Sequence, residues 1–371
     1  MKAETDLHIH AKELKSQTEL KHLLKDEQRN SSMIVELPGL AFDYSRQFMT
    51  AKTQQLLMNL AKEKRLMEKI QMMASGAHIN VTEDRAVMHM ALRARATIPS
   101  SSDAETLLPD GPAPSADAFT VDGVNVVTDV LNVQESIRVF AERVRSGQIR
   151  GATGKTLDTV LCVGIGGSFL GAKFVYEALR CDATGGAAQA CAGRQLRFLA
   201  NVDPVDAARA LEGADPERML VVVCSKTFTT AETMLNARTV REWMLRALVA
   251  KGATEQAIVA NHFAACSTNV PACEAFGLRG ERVFPFWDWV GGRYSVTSAV
   301  GLLPLALHFG WPQVQAFLAG ARYVGATSFP CIVHPHISPH YLCPHINIHI
   351  INIYILTKRL YPPAATWTVT S

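Results

Sequence analysis

Three short stretches hold the residue types from which an anion site is built. The first, Asp158-Thr-Val-Leu-Cys-Val-Gly-Ile-Gly-Gly-Ser168, is an apolar run that breaks into three glycines and a serine. Residues 169–179 then carry apolar side chains at helical spacing, which places a turn over a helix N-terminus. Glycine lets backbone approach a ligand closely, and the first amides of a helix lack internal partners, so the arrangement suits a phosphate or another small anion. The same residues also describe a tight strand-to-helix turn without a ligand, a common unit of α/β folds.

The second stretch, Ser225-Lys-Thr-Phe-Thr-Thr230, follows the apolar run Met219-Leu-Val-Val-Val-Cys224 and precedes a long helical run from Ala231. Four hydroxyls and one ammonium thus fall at the carboxyl end of an expected strand, where open parallel sheets bind ligands. A plainer reading makes Thr229 and Thr230 helix caps and Lys226 a solvated charge. The third stretch, Phe284-Pro-Phe-Trp-Asp-Trp-Val-Gly-Gly-Arg-Tyr-Ser-Val-Thr-Ser298, sets Arg293 after two glycines and before an expected helical run over 295–309. A fork of donors held there suits negative charge developing on a substrate oxygen. The alternative is a structural arginine paired with Asp288 or stacked on Trp287 or Trp289.

The elements that must position these residues follow from pattern. Strands are expected over 159–163, 196–200 and 219–224, with helical runs between them, so the predicted core is a parallel sheet covered by helices on both faces. Before it, residues up to about Arg95 read as helical: 53–73 has leucines and methionines at helical spacing, and 82–93 opens on a capping-type threonine. A Pro/Ser/Asp-rich stretch over 98–115 reads as a loop or linker.

Composition removes other classes. The 371 residues are 48% hydrophobic, enough for a large core, and the net charge of +3 does not point to nucleic acid. The eight cysteines contain no Cys-x-x-Cys pair and several sit in apolar runs, which reads as buried thiols in a reducing compartment. The charged N-terminus lacks the apolar core of a secretory signal, and no stretch of about 18 apolar residues suggests a membrane span.

In order and spacing, the glycine turn, the 225–230 loop and Trp287-Asp-Trp-Val-Gly-Gly-Arg-Tyr-Ser295 resemble the glucose-6-phosphate isomerase family. Ile79-Asn-Val-Thr-Glu-Asp-Arg-Ala-Val87, Val144-Arg-Ser-Gly147 with Gly154-Lys155, and His262-Phe263 with Ser267-Thr-Asn269 add to the likeness, which runs from about Asp43 to Ala321. The resemblance implies an α/β chain: a three-layer α/β/α sugar-isomerase domain on a parallel sheet, preceded by a helical section. It implies Gly167, Ser168 and Gly292 beside the substrate, and Ser225, Lys226, Thr227 and Thr230 on its phosphate. Arg293 would be the catalytic group that stabilises a cis-enediolate as glucose 6-phosphate and fructose 6-phosphate interconvert in glycolysis and gluconeogenesis. The family further implies a cytoplasmic homodimer, with sites completed across subunits and no cofactor or metal. The family usually has Asp and Pro after the glycine turn, where this chain has Phe169 and Ala172.

Moving a proton between C2 and C1 of a sugar needs a base over the carbon, help with ring opening and cover for the enediolate. The family takes the base from a glutamate, and ring-opening help from a histidine and a lysine, all downstream of the Gly-Gly-Arg block. Asp288 is the last carboxylate side chain in these 371 residues, so nothing after it can be that glutamate. From about Arg322 the family pattern stops, and the texture turns to Ile, His and Asn, with His334, His336, His340, His345 and His349 beside Cys331 and Cys343. Imidazole and thiolate are zinc ligands, but the spacing matches no zinc module, and the segment reads better as translated intron or shifted reading frame. The expected division is therefore 1–120, helical section and linker; 121–321, sugar-isomerase domain; 322–371, aberrant tail. The expected function is glucose-6-phosphate isomerase-like on a hexose 6-phosphate, with a non-catalytic sugar-phosphate binding module as the alternative. Residues 1–95 are expected to expose apolar surface.

Overall fold

A computed structural model describes residues 2–37, 40–94, 119–182 and 186–328. The expected 98–115 linker and the His/Cys-containing segment after Ser328 lie outside the described residues.

The N-terminal section runs α1 (Lys2–Gln17), α2 (Leu20–Leu23), α3 (Glu27–Ser32), an antiparallel hairpin of β1 (Ile34–Leu37) and β2 (Leu40–Asp43), α4 (Ala51–Glu63) and α5 (Leu66–Ala74). Its helices join through polar contacts: the His10 ring to Thr53 Oγ1 at 2.7 Å, and the Ala3 amide to Glu63 Oε2 at 2.7 Å. Thr50 starts α4 with a reciprocal capping box to Thr53. The single helix expected over 53–73 is two, broken at Arg65, which takes a left-handed conformation (φ +54°). The section is also not wholly helical, since it contains the β1–β2 hairpin.

A short hairpin, β3 (Thr120–Val121) with β4 (Val124–Asn125), leads into α6 (Val127–Arg145) and then the sheet units. These are β5 (Thr159–Val163), α7 (Gly167–Arg180), α8 (Ala187–Ala190), β6 (Gln195–Leu199), α9 (Pro204–Leu211), β7 (Met219–Cys224), α10 (Ala231–Val249), α11 (Glu255–His262), β8 (Phe263–Cys266), α12 (Val270–Phe276) and β9 (Val283–Phe284). A 3-10 segment, Gly292–Thr297, precedes α13 (Ala299–Phe309) and α14 (Trp311–Ser328).

The five strands are all parallel, in the order β6-β5-β7-β8-β9, with Thr159 facing Gln195 on one side and Met219 on the other. Every residue of β5 and β7 is buried, which explains their unbroken apolar runs: both faces of the sheet are covered. Alternate side chains feed two cores. Val160, Cys162, Leu220, Val222 and Cys224 join one with α6, α7, α13 and α14, while Leu161, Val163, Met219, Val221 and Val223 join the other with α10, α11 and α12. The three-layer α/β/α expectation is met.

Two sequence expectations give way here. Residues 82–93 are not a helix. Thr82 Oγ1 donates to Asn80 Oδ1 instead of capping, Asn80 pairs with Arg85 across a tight turn, and only Ala91–Arg93 closes a 3-10 turn. The reason is tertiary: Ala86, Met88, Met90, Ala91 and Leu92 are all buried, so the segment threads the core and has no polar face to present as a surface helix would. The helical run expected over 295–309 is likewise interrupted. Ser298 is extended (φ −96°, ψ −178°) and accepts from the Val300 amide, which starts α13 afresh. The expected strand over 196–200 lies one residue earlier, and α14 runs through Ala321 to Ser328.

Candidate functional site

Strand order locates the site. After β5 the chain moves outward to β6, then returns to the other side of β5 for β7, β8 and β9, so β5 and β7 flank the point where winding reverses. Loops leaving two such strands diverge to opposite faces and open a crevice at their carboxyl ends. The glycine turn leaves β5 and the 225–230 loop leaves β7; both expected anion loops border that crevice.

The glycine turn is built for close approach. Gly166 has φ +58° and ψ −119°, a conformation closed to side-chain-bearing residues, and Ser168 donates its amide to the Ile165 carbonyl at 3.1 Å as α7 begins. A Cβ on Gly167 would lie 2.3 Å from the Gly292 carbonyl carbon and 2.4 Å from its oxygen, all backbone atoms that cannot step aside. The Gly-Gly-Arg block therefore lies against the first turn of α7. Ser295 Oγ fixes this contact by donating to the carbonyls of Gly292 (2.7 Å) and Gly167 (3.1 Å).

The 225–230 loop is pinned from below. Phe228 is buried, edge-on to Phe276 at 5.8 Å, and sits at φ +55°, a strained value for an aromatic residue that only its buried ring holds in place. Ser225 is buried, with its amide on the Cys266 carbonyl and its hydroxyl 3.3 Å from Thr230 Oγ1. Thr227 and Thr230 are exposed at the loop surface. Thr230 occupies the N-cap position of α10 yet makes no side-chain cap hydrogen bond, so its hydroxyl is not spent on the helix as the plainer reading required.

Lys226 is placed differently from a free charge. Its Nζ donates to the Asp288 carbonyl at 2.7 Å and the Val290 carbonyl at 3.2 Å, which ties the 225–230 loop to the arginine loop. Burial, then the positive charge of Arg85, push its ammonium below the ordinary lysine value. The Lys226 carbonyl is gripped in turn by the Thr268 amide (2.9 Å), Thr268 Oγ1 (2.7 Å) and Ser267 Oγ (3.0 Å), while Asn269 Nδ2 donates to the Thr227 carbonyl at 3.0 Å. The roles of Ser267, Thr268 and Asn269 were not read from the sequence. The signal available was their position, three hydrogen-bonding residues straight after β8 at the same sheet edge.

Arg293 is exposed, and its side chain makes no hydrogen bond or ion pair with another described residue. Neither structural alternative for it is present: Asp288 faces Arg85 at 3.8 Å, and Trp287 stacks on Trp289 with centroids 4.9 Å apart and planes 10° apart. The loop is instead held by residues 85–89. Besides the Arg85 contact, the Met88 amide donates to the Trp289 carbonyl at 3.3 Å, and the His89 ring stacks on Tyr294 at 4.4 Å. Burial and the nearby Arg93 charge push His89 down to about 3, so it packs as a neutral ring.

Gly167, Ser168, Ser225, Lys226, Thr227, Thr230, Gly292 and Arg293 thus converge on one edge. His262 does not join them. It sits where β7 begins, at the opposite edge, where Nδ1 donates to the Met219 carbonyl and Nε2 accepts from the Ala152 amide, both at 2.8 Å. The expected buried thiols are found at Cys162, Cys224, Cys266 and Cys273, whereas Cys181 is exposed and Cys191 half-buried. Among the described residues no group of His, Cys, Asp and Glu has metal-binding geometry, and no helix is long and apolar enough to cross a membrane.

Comparison with known proteins bears on this arrangement. The family model described as phosphoglucose isomerase matches residues 43–329. The cytosolic glucose-6-phosphate isomerase of Arabidopsis thaliana is 50% identical over 319 residues, which cover 86% of this chain and 52% of that protein. The cytosolic enzyme of Spinacia oleracea is 51% identical over 319 residues, 86% of this chain and 51% of that one. A crystal structure of a glucose-6-phosphate isomerase from Chlamydia trachomatis aligns with a TM-score of 0.62 at 25% identity, over 82% of this chain and 51% of that chain. The chain spans about half the length of the curated relatives it matches.

Proposed function

This chain belongs to the phosphoglucose isomerase family, and we propose that its convergent loops seat a hexose 6-phosphate for aldose–ketose interconversion. The phosphate lies on the 225–230 loop, held by the hydroxyls of Ser225, Thr227 and Thr230, the Lys226 residue and the free amides of the α10 N-terminus. Gly167, Ser168 and Gly292 border the sugar. Arg293, uncommitted to any other described residue, supplies the donor fork for the enediolate oxygen. The observations that support this reading are the contact of Gly167 with Gly292, which packs the Gly-Gly-Arg block against the glycine turn, and the bonds from Lys226 to the Asp288 and Val290 carbonyls, which tie that block to the 225–230 loop.

The base is a separate matter. Asp288 is the last carboxylate side chain of these 371 residues, and it is turned to Arg85, so the proton-moving glutamate of the family has no counterpart after the Gly-Gly-Arg block. The second reading is a sugar-phosphate binding module without turnover. The cytosolic names of the relatives support a cytosolic setting.

Calorimetry with fructose 6-phosphate tests the seat: binding is expected, and Ser225→Ala with Thr230→Val should weaken it at least tenfold. Unchanged binding in that double variant would reject the site. A coupled isomerase assay then separates the two readings, because turnover by these 371 residues requires a base other than a downstream glutamate.

A further inference from the structure

We infer that Lys226 is a positioning residue that couples an anion on the 225–230 loop to the loop carrying Gly292 and Arg293. The inference rests on the reading of residues 225–230 as a phosphate loop.

The geometry is that of a strut fixed at both ends. Its backbone carbonyl takes three donors from Ser267 and Thr268, on the loop after β8. Its ammonium reaches the loop after β9, donating to the carbonyls of Asp288 and Val290. One residue of the β7 loop therefore joins three loops that leave three adjacent strands. An ammonium has three N–H donors, and two are spent here, which leaves the third for an anion without release of either carbonyl.

The loop it holds has two other fastenings, the Ser295 hydroxyl that bonds the Gly292 and Gly167 carbonyls and a rail of N-terminal residues. Arg85, Met88 and His89 grip residues 288, 289 and 294 from the N-terminal side. Between that rail and Lys226 lie the two glycines and Arg293, whose own side chain adds no restraint. An anion beside Lys226 draws the ammonium toward itself and shifts the two carbonyls with it, so that occupancy of the phosphate loop sets where Arg293 stands. A lysine that served only as a point charge for phosphate would have no reason to spend two of its donors on carbonyls of another loop.

The stacked Trp287–Trp289 pair lies on the coupled loop and gives a direct readout, since near-ultraviolet circular dichroism of two parallel indoles depends on their separation and angle. Inorganic phosphate is the probe, with occupancy measured separately by calorimetry. In the unaltered chain, the tryptophan signal is expected to change in proportion to occupancy. In Lys226→Met, which keeps the backbone amide and the apolar stem, phosphate still binds, roughly three- to tenfold more weakly, but the signal at equal occupancy does not move. Lys226→Arg, which again donates in several directions, restores at least half of the response. A full response in Lys226→Met at equal occupancy overturns the coupling, as does phosphate binding to the unaltered chain with no tryptophan response. That last measurement needs no variant, so it stands even where Lys226→Met fails to fold. Absence of phosphate binding to the unaltered chain overturns the site itself and the coupling with it.

Discussion

At the scale of single residues, the site depends on what is missing as much as on what is present. Gly167 has no room for a side chain because the Gly292 backbone fills the space where a Cβ would go. Gly167→Ala must push the Gly-Gly-Arg loop away, and overpacking against backbone of this kind costs about 1–3 kcal/mol. The expected outcome is a lower denaturation midpoint together with at least tenfold weaker fructose 6-phosphate binding. Gly291→Ala is the matched control: Gly291 has φ −69° and ψ 145°, open to any residue, and a Cβ there meets only a Tyr294 ring carbon at 3.5 Å. Equal effects of the two substitutions on binding would show that the glycine contact does not shape the site. His262 makes the opposite case, a polar group that serves structure. His262→Phe strands the Ala152 amide and the Met219 carbonyl, a loss of about 1–3 kcal/mol for a buried unsatisfied group. Chemical denaturation should show that loss while fructose 6-phosphate affinity at saturating fold stays within twofold.

At the scale of elements, β5, β7, α7 and α10 were legible because their patterns are extreme. Five- and six-residue apolar runs ending at Gly164 and Ser225 leave few readings besides buried parallel strands. Residues 82–93 misled for the converse reason: capping chemistry at Thr82 resembled a helix start, while the deciding force was burial of Met88, Met90 and Leu92 against elements far away in sequence. The convergence itself was half legible. Each loop announced itself, but the tie from Lys226 to the Asp288 and Val290 carbonyls is made to backbone, which no sequence pattern encodes. The turn that leads into 82–93 is clamped by His78, whose two ring nitrogens each lie 3.0 Å from a carboxylate, Asp84 on one side and Asp122 on the β3–β4 hairpin on the other. Bonds to Asp84 and Asp122 raise its pKa above the usual 6.5. A raised histidine stabilises fully below the unfolded-state value and loses that contribution as pH climbs through the folded-state value. The stability gap between the unaltered chain and His78→Asn should therefore be widest below about pH 6.5 and shrink toward pH 9. A gap of constant size in denaturation curves at pH 6 and pH 9 would mean that the clamp carries no charge.

At the scale of the whole molecule, burial divides the described residues into two unequal parts, and we propose that the boundary falls near residue 120, ahead of α6. Past that point lie nearly all members of both cores, sandwiching a sheet whose central strands are wholly buried. Before it, α1 buries only Ala3, His10 and Leu14, α4 buries only Thr53, and α5 buries no residue fully. Ile9, Leu57, Leu66 and Met72 stay exposed, at 51, 39, 49 and 48%, in line with the apolar surface that the family resemblance led one to expect over residues 1–95. Local opening free energy follows buried apolar contact, so the two parts should differ in protection. Native-state hydrogen exchange is expected to release the amides of α1, α4 and α5 at least a hundredfold faster than those of β5 and β7. Limited proteolysis should cut within α1–α5 while the 119–328 region persists. The segment containing Met88, Met90 and Leu92 belongs with the slow group despite its place in sequence, because it is threaded into the larger core and holds the Arg293 loop. Uniform protection from α1 to β7 would show instead that the polar ties between α1 and α4 are worth as much as the sheet's burial, and that the chain unfolds as one unit.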